Sequence, residues 1–358
     1  MGNLTEISII FRKLIIWLSL GIIVFIFLRL LFIIAINSWK ASHPIRIPPP
    51  KMEFGKLPNP KFSQVATSSS GLRFTLENIE GVPVVDKPQE GTASSKVYSM
   101  PKKSPTFLSS DRSNKFAVKL GFTNEPQVSN STIYNYTDPL EPLRTLSVDS
   151  INLNFILKYR WENNPIVVSN GRLDSKDQAL NEIKSFIQYN NLFDDSIALG
   201  KKNPELLTYN QLTNSFLPST SVSTANVIKV NYFRNDLDGL KILPPAFNHS
   251  YNYVIYTRST NTNSQVLEVS YKFWPIDFDN FGTYPIKSAI SAWQDLIDGY
   301  ATVVNLGNNS PQNIVIRHIY LAYYDSEDPQ PYLQPIYVFE GDNDFVAFLP
   351  AVISEWLE

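Results

Sequence analysis

The chain has 358 residues, 43% hydrophobic and 18% charged, with a formal net charge of −2 and a pI near 6.0. That composition supports a sizeable buried core and excludes a disordered chain, and the balanced charge lacks the broad cationic surface that nucleic-acid phosphates attract. The absence of cysteine excludes disulfides, thiol nucleophiles and thiolate metal sites, and the three histidines, His43, His249 and His318, are far apart in sequence.

Residues 14–36, LIIWLSLGIIVFIFLRLLFIIAI, are apolar apart from Ser19, Gly21 and Arg29, a run long enough to cross a hydrocarbon core of about 30 Å. Trp17 and Trp39 lie near its ends, where amphipathic rings settle at the headgroup level. The run is longer than the apolar region of a cleaved signal, so it reads as an uncleaved transmembrane helix in contact with membrane lipid. Arg29 either snorkels to the headgroups or pairs with a polar group on a neighbouring helix. The basic residues are split, Arg12 and Lys13 before the run and Lys40, Arg46 and Lys51 after it, and leave orientation open. A short head over 1–13 with no later apolar run favours a cytoplasmic N-terminus and an extracytoplasmic C-terminal part.

Residues 37–62 carry consecutive prolines at Pro48, Pro49 and Pro50 and read as an extended stalk. Residues 63–105 mix short strand-like pieces, GLRFTLENI and VPVVD, with Ser, Thr, Gly and Pro, and predict a small β region or arm. Three amphipathic helices with following strands then predict three units, over 106–170, 171–282 and 283–358. The first helix lies in SSDRSNKFAVKLGF, with Ser109, Ser110 or Asp111 as cap and Gly121 as stop. The second, in LDSKDQALNEIKSFIQYNNLF, pairs Ser175 with Gln178 in a capping box and buries Ala179, Ile183, Phe186 and Ile187. The third, in TYPIKSAISAWQDLIDGYATV, starts at Pro285, turns Ile286, Ala289, Ile290, Trp293, Leu296 and Ile297 to one face, and stops at Gly299. The predicted fold class is α+β, an N-terminal transmembrane helix followed by an ectodomain of repeated helix-plus-antiparallel-sheet units.

At the C-terminal end, NIVIRHIYLAYY alternates with the period of a strand and YLQPIYVFEGDNDFVAFLP reads as a hairpin turning at GDND. DSEDPQP, residues 325–331, is then the loop between successive strands, and its acids are expected to be exposed turn residues. The succession SAWQDLIDGY, IRHIYLAYYDS and YLQPIYVFEGDNDFVAFLPAV resembles the last repeat of the YycH/YycI-type extracytoplasmic regulators, over residues 283–352 and more weakly over 106–280. The resemblance implies PepSY-like or cystatin-like units, one helix packed on an antiparallel sheet, in a membrane-anchored, non-enzymatic protein that binds envelope partners such as sensor kinases. It implies no partner-contact residue.

The candidate chemistry is sparse. Asp325, Glu327 and Asp328 could ligate calcium, but without the Gly-punctuated Asp-x-Asp-x-Asp-Gly frame a solvated turn is the favoured reading. Asp277 and Asp279 beside Trp274, Phe278 and Phe281 have the look of a glycan-cleaving carboxylate pair and equally of a loop leading into a helix. His318 with Arg317 and Tyr320 forms no triad, and GxSxG, HExxH and Gly-rich phosphate loops are absent from the sequence. No catalytic, cofactor-binding or metal residue is assigned. Aromatics make up 13% of the chain, enough to supply either packed cross-strand pairs or an exposed contact surface. The expected function is binding of another envelope protein, with regulation of a sensor or a membrane assembly as its purpose. The alternatives are a cell-wall glycan-binding or glycan-processing protein and a structural component of a secretion or pilus apparatus.

Overall fold

The computed structural model describes residues 17–18, 20–35, 38, 49–62, 67–77, 84–85 and 94–358. Its contacts divide it into two units, Met1–Pro48 and Pro49–Glu358. In the first, residues 20–35 form helix α1, whose large apolar side chains, Phe25 and Phe32 among them, are exposed. At about 1.5 Å per residue, α1 rises about 24 Å. No helix among the described residues is long and apolar enough to cross a membrane. That finding overturns the expectation of a transmembrane helix over 14–36 and of a single-pass signal anchor. The head over 1–13, Ser19, Trp39 and His43 lie outside the described residues.

The second unit is mostly sheet. Strands β1 (Thr67–Ser68), β2 (Phe74–Leu76), β3 (Val84–Val85) and β4 (Ser94–Ser99) precede helix α2 (Ser109–Lys119). Strands β5 (Gln127–Ser129), β6 (Ile133–Thr137), β7 (Arg144–Asp149) and β8 (Phe155–Tyr159) lead to helices α3 (Ile166–Ser169), α4 (Lys176–Asn190) and α5 (Asp195–Ala198). Next come β9 (Lys202–Asn210), β10 (Ser215–Pro218), β11 (Val227–Tyr232), β12 (Lys241–Leu243), β13 (Tyr253–Thr257), β14 (Val266–Tyr271) and β15 (Asp277–Pro285). Helix α6 (Ala289–Ile297) and strands β16 (Thr302–Asn305), β17 (Ile314–Tyr324), β18 (Tyr332–Gly341) and β19 (Val346–Pro350) complete the order.

Among the described residues the strands form two sheets. Nine run antiparallel in the order β10-β9-β11-β13-β14-β8-β7-β6-β5. The other ten follow β1-β16-β19-β18-β17-β12, with β2, β3 and β12 parallel to β17 and with β4 joining β18 to β15. The expected α+β array of repeated helix-plus-sheet units is therefore corrected to a mostly-sheet fold with two large sheets. Strands expected to belong to separate units share one sheet because β8 and β14 pair edge to edge, Leu157 opposite Val269. A strand with unsatisfied N–H and C=O groups on one side gains by continuing into a neighbour.

Helix α4 starts at its expected cap, whereas α2 follows Leu108 with no side-chain cap bond in place of the cap expected at Ser109, Ser110 or Asp111. Ser175 accepts from the Gln178 N–H at the start of α4, and Ala179, Ile183 and Ile187 are buried under the nine-stranded sheet. Gly121, at φ +91°, ends the turn after α2, a conformation that favours glycine. Helix α6 departs from its expected face. It begins after Ser288, which accepts from the Ser291 N–H, not at Pro285, the last residue of β15. Its buried residues are Ala289, Ala292 and Leu296, Trp293 is half-buried, and Ile290 is 81% exposed.

Two features tie the halves together. After β11 the chain crosses to add β12 to the ten-stranded sheet and returns for β13. Residues 49–62 run along the ten-stranded half: Leu57 is fully buried, Gln334 Nε2 donates to the Pro58 carbonyl at 2.8 Å, and the Tyr324 hydroxyl donates to the Lys61 carbonyl at 2.9 Å.

Removing Leu296, fully buried on the inner face of α6, is expected to cost about 2–5 kcal/mol as Leu296→Ala. Ile290→Ala, on the outer face, is expected to stay within about 0.5 kcal/mol; chemical denaturation of both variants checks the assignment of faces. A second expectation concerns alkali. Burial pushes the Tyr136, Tyr271 and Tyr337 phenols up to about 12, above the usual value of about 10. Raised folded-state values contribute stability that is complete below pH about 10 and is lost as the pH climbs through the folded values. Urea midpoints should therefore fall steadily above pH about 10, and phenolate absorbance should rise together with unfolding.

Candidate functional site

The loop over 325–331 leaves β17 at Asp325, and the structure brings that residue inside. Asp325 is 4% exposed, which corrects the expectation of an exposed turn acid. Its Oδ2 accepts from Arg234 Nε at 2.6 Å and from the Tyr251 hydroxyl at 2.5 Å, while its N–H donates to the Leu243 carbonyl at 2.9 Å. Arg234 follows β11 and Tyr251 precedes β13, so both acid partners flank the excursion that carries β12. The guanidinium also donates through Nη2 to the Trp274 carbonyl at 2.8 Å and stands over the Phe273 ring, 4.6 Å from its centroid. Burial lowers the Arg234 pKa, and the Asp325 carboxylate outweighs that, so the group lies above its ordinary value. Burial first, and Asp325 second, push the Tyr251 phenol well above its ordinary range. A neutral donor and a cation thus share one carboxylate oxygen. The other, Oδ1, is buried without a partner among the described residues.

Glu327 and Asp328 are exposed, as a turn would place them. Glu327 nevertheless has partners: Lys272 Nζ lies 2.6 Å from its Oε1, and Trp274 Nε1 donates to its carbonyl at 3.2 Å. Asp325, Glu327 and Asp328 do not converge, and among the described residues no group of three His, Asp or Glu side chains could hold a metal ion.

The loop forms one wall of a cleft of about 720 Å³ between the ends of the two sheets. Trp274 and Tyr332 supply its rings, Asn152 and Asn154 its amides, and Lys102 and Lys103 its rim. The opposite wall is the β7–β8 turn, held by Asp149, whose carboxylate accepts from the Ile151 N–H at 3.0 Å and from Asn152 Nδ2 at 2.8 Å. Asn154 Oδ1 accepts from the Phe273 N–H at 2.9 Å, which fixes the floor. The described lining contains no histidine, and Ser99, Thr132 and Tyr332 are its hydroxyl side chains.

The remaining candidates lie apart from this cleft. Asp277 and Asp279 are on β15, in the irregular register between Asp277 and Phe281, and Asp277 Oδ1 accepts from the Asp279 N–H at 3.2 Å. The loop expected there is a strand edge. His318 is exposed on β17, next to Tyr320, whose hydroxyl donates to Glu340. Arg317 faces Asp342 with two bonds, Nε at 2.9 Å and Nη2 at 2.6 Å. Sequence reasoning missed Arg234 and Tyr251 altogether. A lone arginine after an apolar strand, VNYFRN, is the one signal that could have pointed to a buried charge, and it does not identify the carboxylate that answers it.

The pair makes a sharp contrast between neighbouring acids. Asp325→Ala strands a buried guanidinium and is expected to cost about 3–5 kcal/mol in a denaturant titration. Asp328→Ala, on the exposed tip of the same loop, is expected to fall within about 0.5 kcal/mol.

No family model matches the chain, and no curated protein does. Among solved structures the chain is similar to an uncharacterized protein from Eubacterium rectale, determined by crystallography at 1.45 Å resolution. The two are 12% identical, the match covers 78% of this chain and 89% of that one, and the TM-score is 0.41.

Proposed function

We propose that this chain is a non-catalytic binding protein whose cleft receives an extended segment of another protein. The observation that carries the reading is the lining: rings at Trp274 and Tyr332, prolines at Pro101, Pro329 and Pro331, amides at Asn152 and Asn154, and lysines on the rim. Rigid aromatic surface gives contact area at little entropic cost, and side-chain amides bond a peptide backbone in either sense. Of the carboxylates at the cleft, Asp149 is occupied by its own turn and Glu327 by Lys272, while Asp328 stands exposed on the loop. General acid–base work needs a titratable group within reach of a substrate proton, and the described lining offers Asp328 no histidine or second unengaged carboxylate to work with.

A photo-crosslinking residue placed at Gln330, on the cleft wall, tests the reading when expressed in the native cells. The expected result is a protein adduct whose crosslinked peptide can be sequenced, synthesised and titrated against the purified chain. Trp274→Ala should weaken that peptide by about 2 kcal/mol or more, the size of an anchoring contact. Saturable binding of cell-wall glycan fragments that is lost in Trp274→Ala, with no peptide adduct, would replace the proposal with a glycan-binding one.

A further inference from the structure

The acids Asp325 and Glu327 of loop 325–331 are gripped by side chains from one side only, while the loop's ends are bonded to the other half, the Asp325 N–H donating to the Leu243 carbonyl at 2.9 Å and the Pro331 carbonyl accepting from the Met100 N–H at 2.8 Å. Asp325 takes Arg234 and Tyr251, Glu327 takes Lys272, and the Glu327 carbonyl takes the Trp274 indole. All four partners come from the strand ends of the nine-stranded sheet or the segment leaving it, whereas the loop itself connects β17 and β18 of the ten-stranded sheet. The grip therefore sets the distance between the halves at the wall of the cleft. Asp325 is its centre, since of the two gripped acids it is the buried one, and its Oδ1 has no partner among the described residues. A buried polar atom without a bond calls for an explanation, because satisfying it is the ordinary outcome of folding. A carboxylate held by one oxygen is bound strongly enough to define a position and less tightly than its chemistry allows.

We propose that Asp325 is a latch: its pairing with Arg234 and Tyr251 positions loop 325–331 and sets the width of the cleft, and its release opens the wall to an incoming polypeptide. The release step rests on the cleft being the binding site; the latch itself does not. Breaking one side of a buried ion pair leaves the other charge uncompensated in a low-dielectric interior, so the latch has two separated states and little between them. Lys272–Glu327 is solvent-exposed and contributes little by itself. The loop thus depends on the buried contact.

The cysteine-free chain allows a clean assay. Ser326→Cys puts a thiol at a position 7% exposed beside the latch, and Ala292→Cys puts one in the fully buried core of α6 as a reporter of global unfolding. Labelling rates by a thiol reagent are measured for each in the parent chain and with Asp325→Asn. The expected result is a rise of about a hundredfold at Ser326→Cys, the ratio that about 3 kcal/mol of latch energy represents, with a much smaller rise at Ala292→Cys. Equal rises at the two sites would mean that Asp325 only stabilises the whole fold, and no rise at Ser326→Cys would mean that the loop is held without it; either result overturns the latch. Should Asp325→Asn fail to fold, Arg234→Met with Asp325→Leu removes both charges while keeping apolar volume, and the same comparison applies. The assay contains no ligand, so its failure is separate from a failure of the crosslinking experiment.

Discussion

The buried ion pair between Arg234 and Asp325 is the constraint on which the arrangement of the two sheets depends. Each sheet closes its own core, α4 against the nine-stranded sheet and α6 against the ten-stranded one. A charge 3% exposed and a carboxylate 5% exposed cannot be separated without desolvated ions being left alone, so the pair admits one orientation. The excursion through β12 adds a second restraint, three residues paired in parallel with Ala322, Tyr323 and Tyr324 just before Asp325. Together these place the start of loop 325–331 against Leu243 on one side and Arg234 on the other.

The cleft is a consequence of that placement. Its walls are turns and connecting segments, not strand faces, because the two sheets meet at their ends and leave the intervening volume to loops. Loops positioned by rigid elements are where proteins put contact residues. Trp274 shows the economy: its carbonyl accepts from Arg234, its indole N–H donates to the Glu327 carbonyl, and its ring lines the cleft. A single residue therefore links the buried pair to the cleft.

Two elements depart from the sequence pattern. Strict alternation along β17 puts Ile316 and Ile319 on opposite faces, yet both belong to one core. The register shifts between Ile316 and His318, where two steps on β17 meet one on β18, Gly341 to Glu340. The extra residue is Arg317, which turns out to bond Asp342 beside the hairpin turn, and a bulge of this kind reverses the faces beyond it. On α6 the buried stripe is centred on Ala289, Ala292 and Leu296, which leaves Ile290 and Ile297 outside it although all lie in one unbroken helix. Periodicity identifies a face only within an unbroken element, and which part of an apolar stripe is buried is set by what packs against it.

What the sequence determined is local: the Ser175 cap, the stop at Gly121, the hairpin at Asp342–Asp344, the strands on either side of DSEDPQP, and the absence of cysteine chemistry. Each follows from interactions within a few residues, which composition and spacing reveal. Tertiary structure alone decided that the strands form two sheets, that Asp325 is inside and Asp328 outside, and that residues 49–62 are packed along strands more than two hundred residues away. The burial of Asp325 depends on Arg234, 91 positions earlier in the chain, and an acid in a proline-rich turn looks the same in sequence whether or not a cation folds back to meet it.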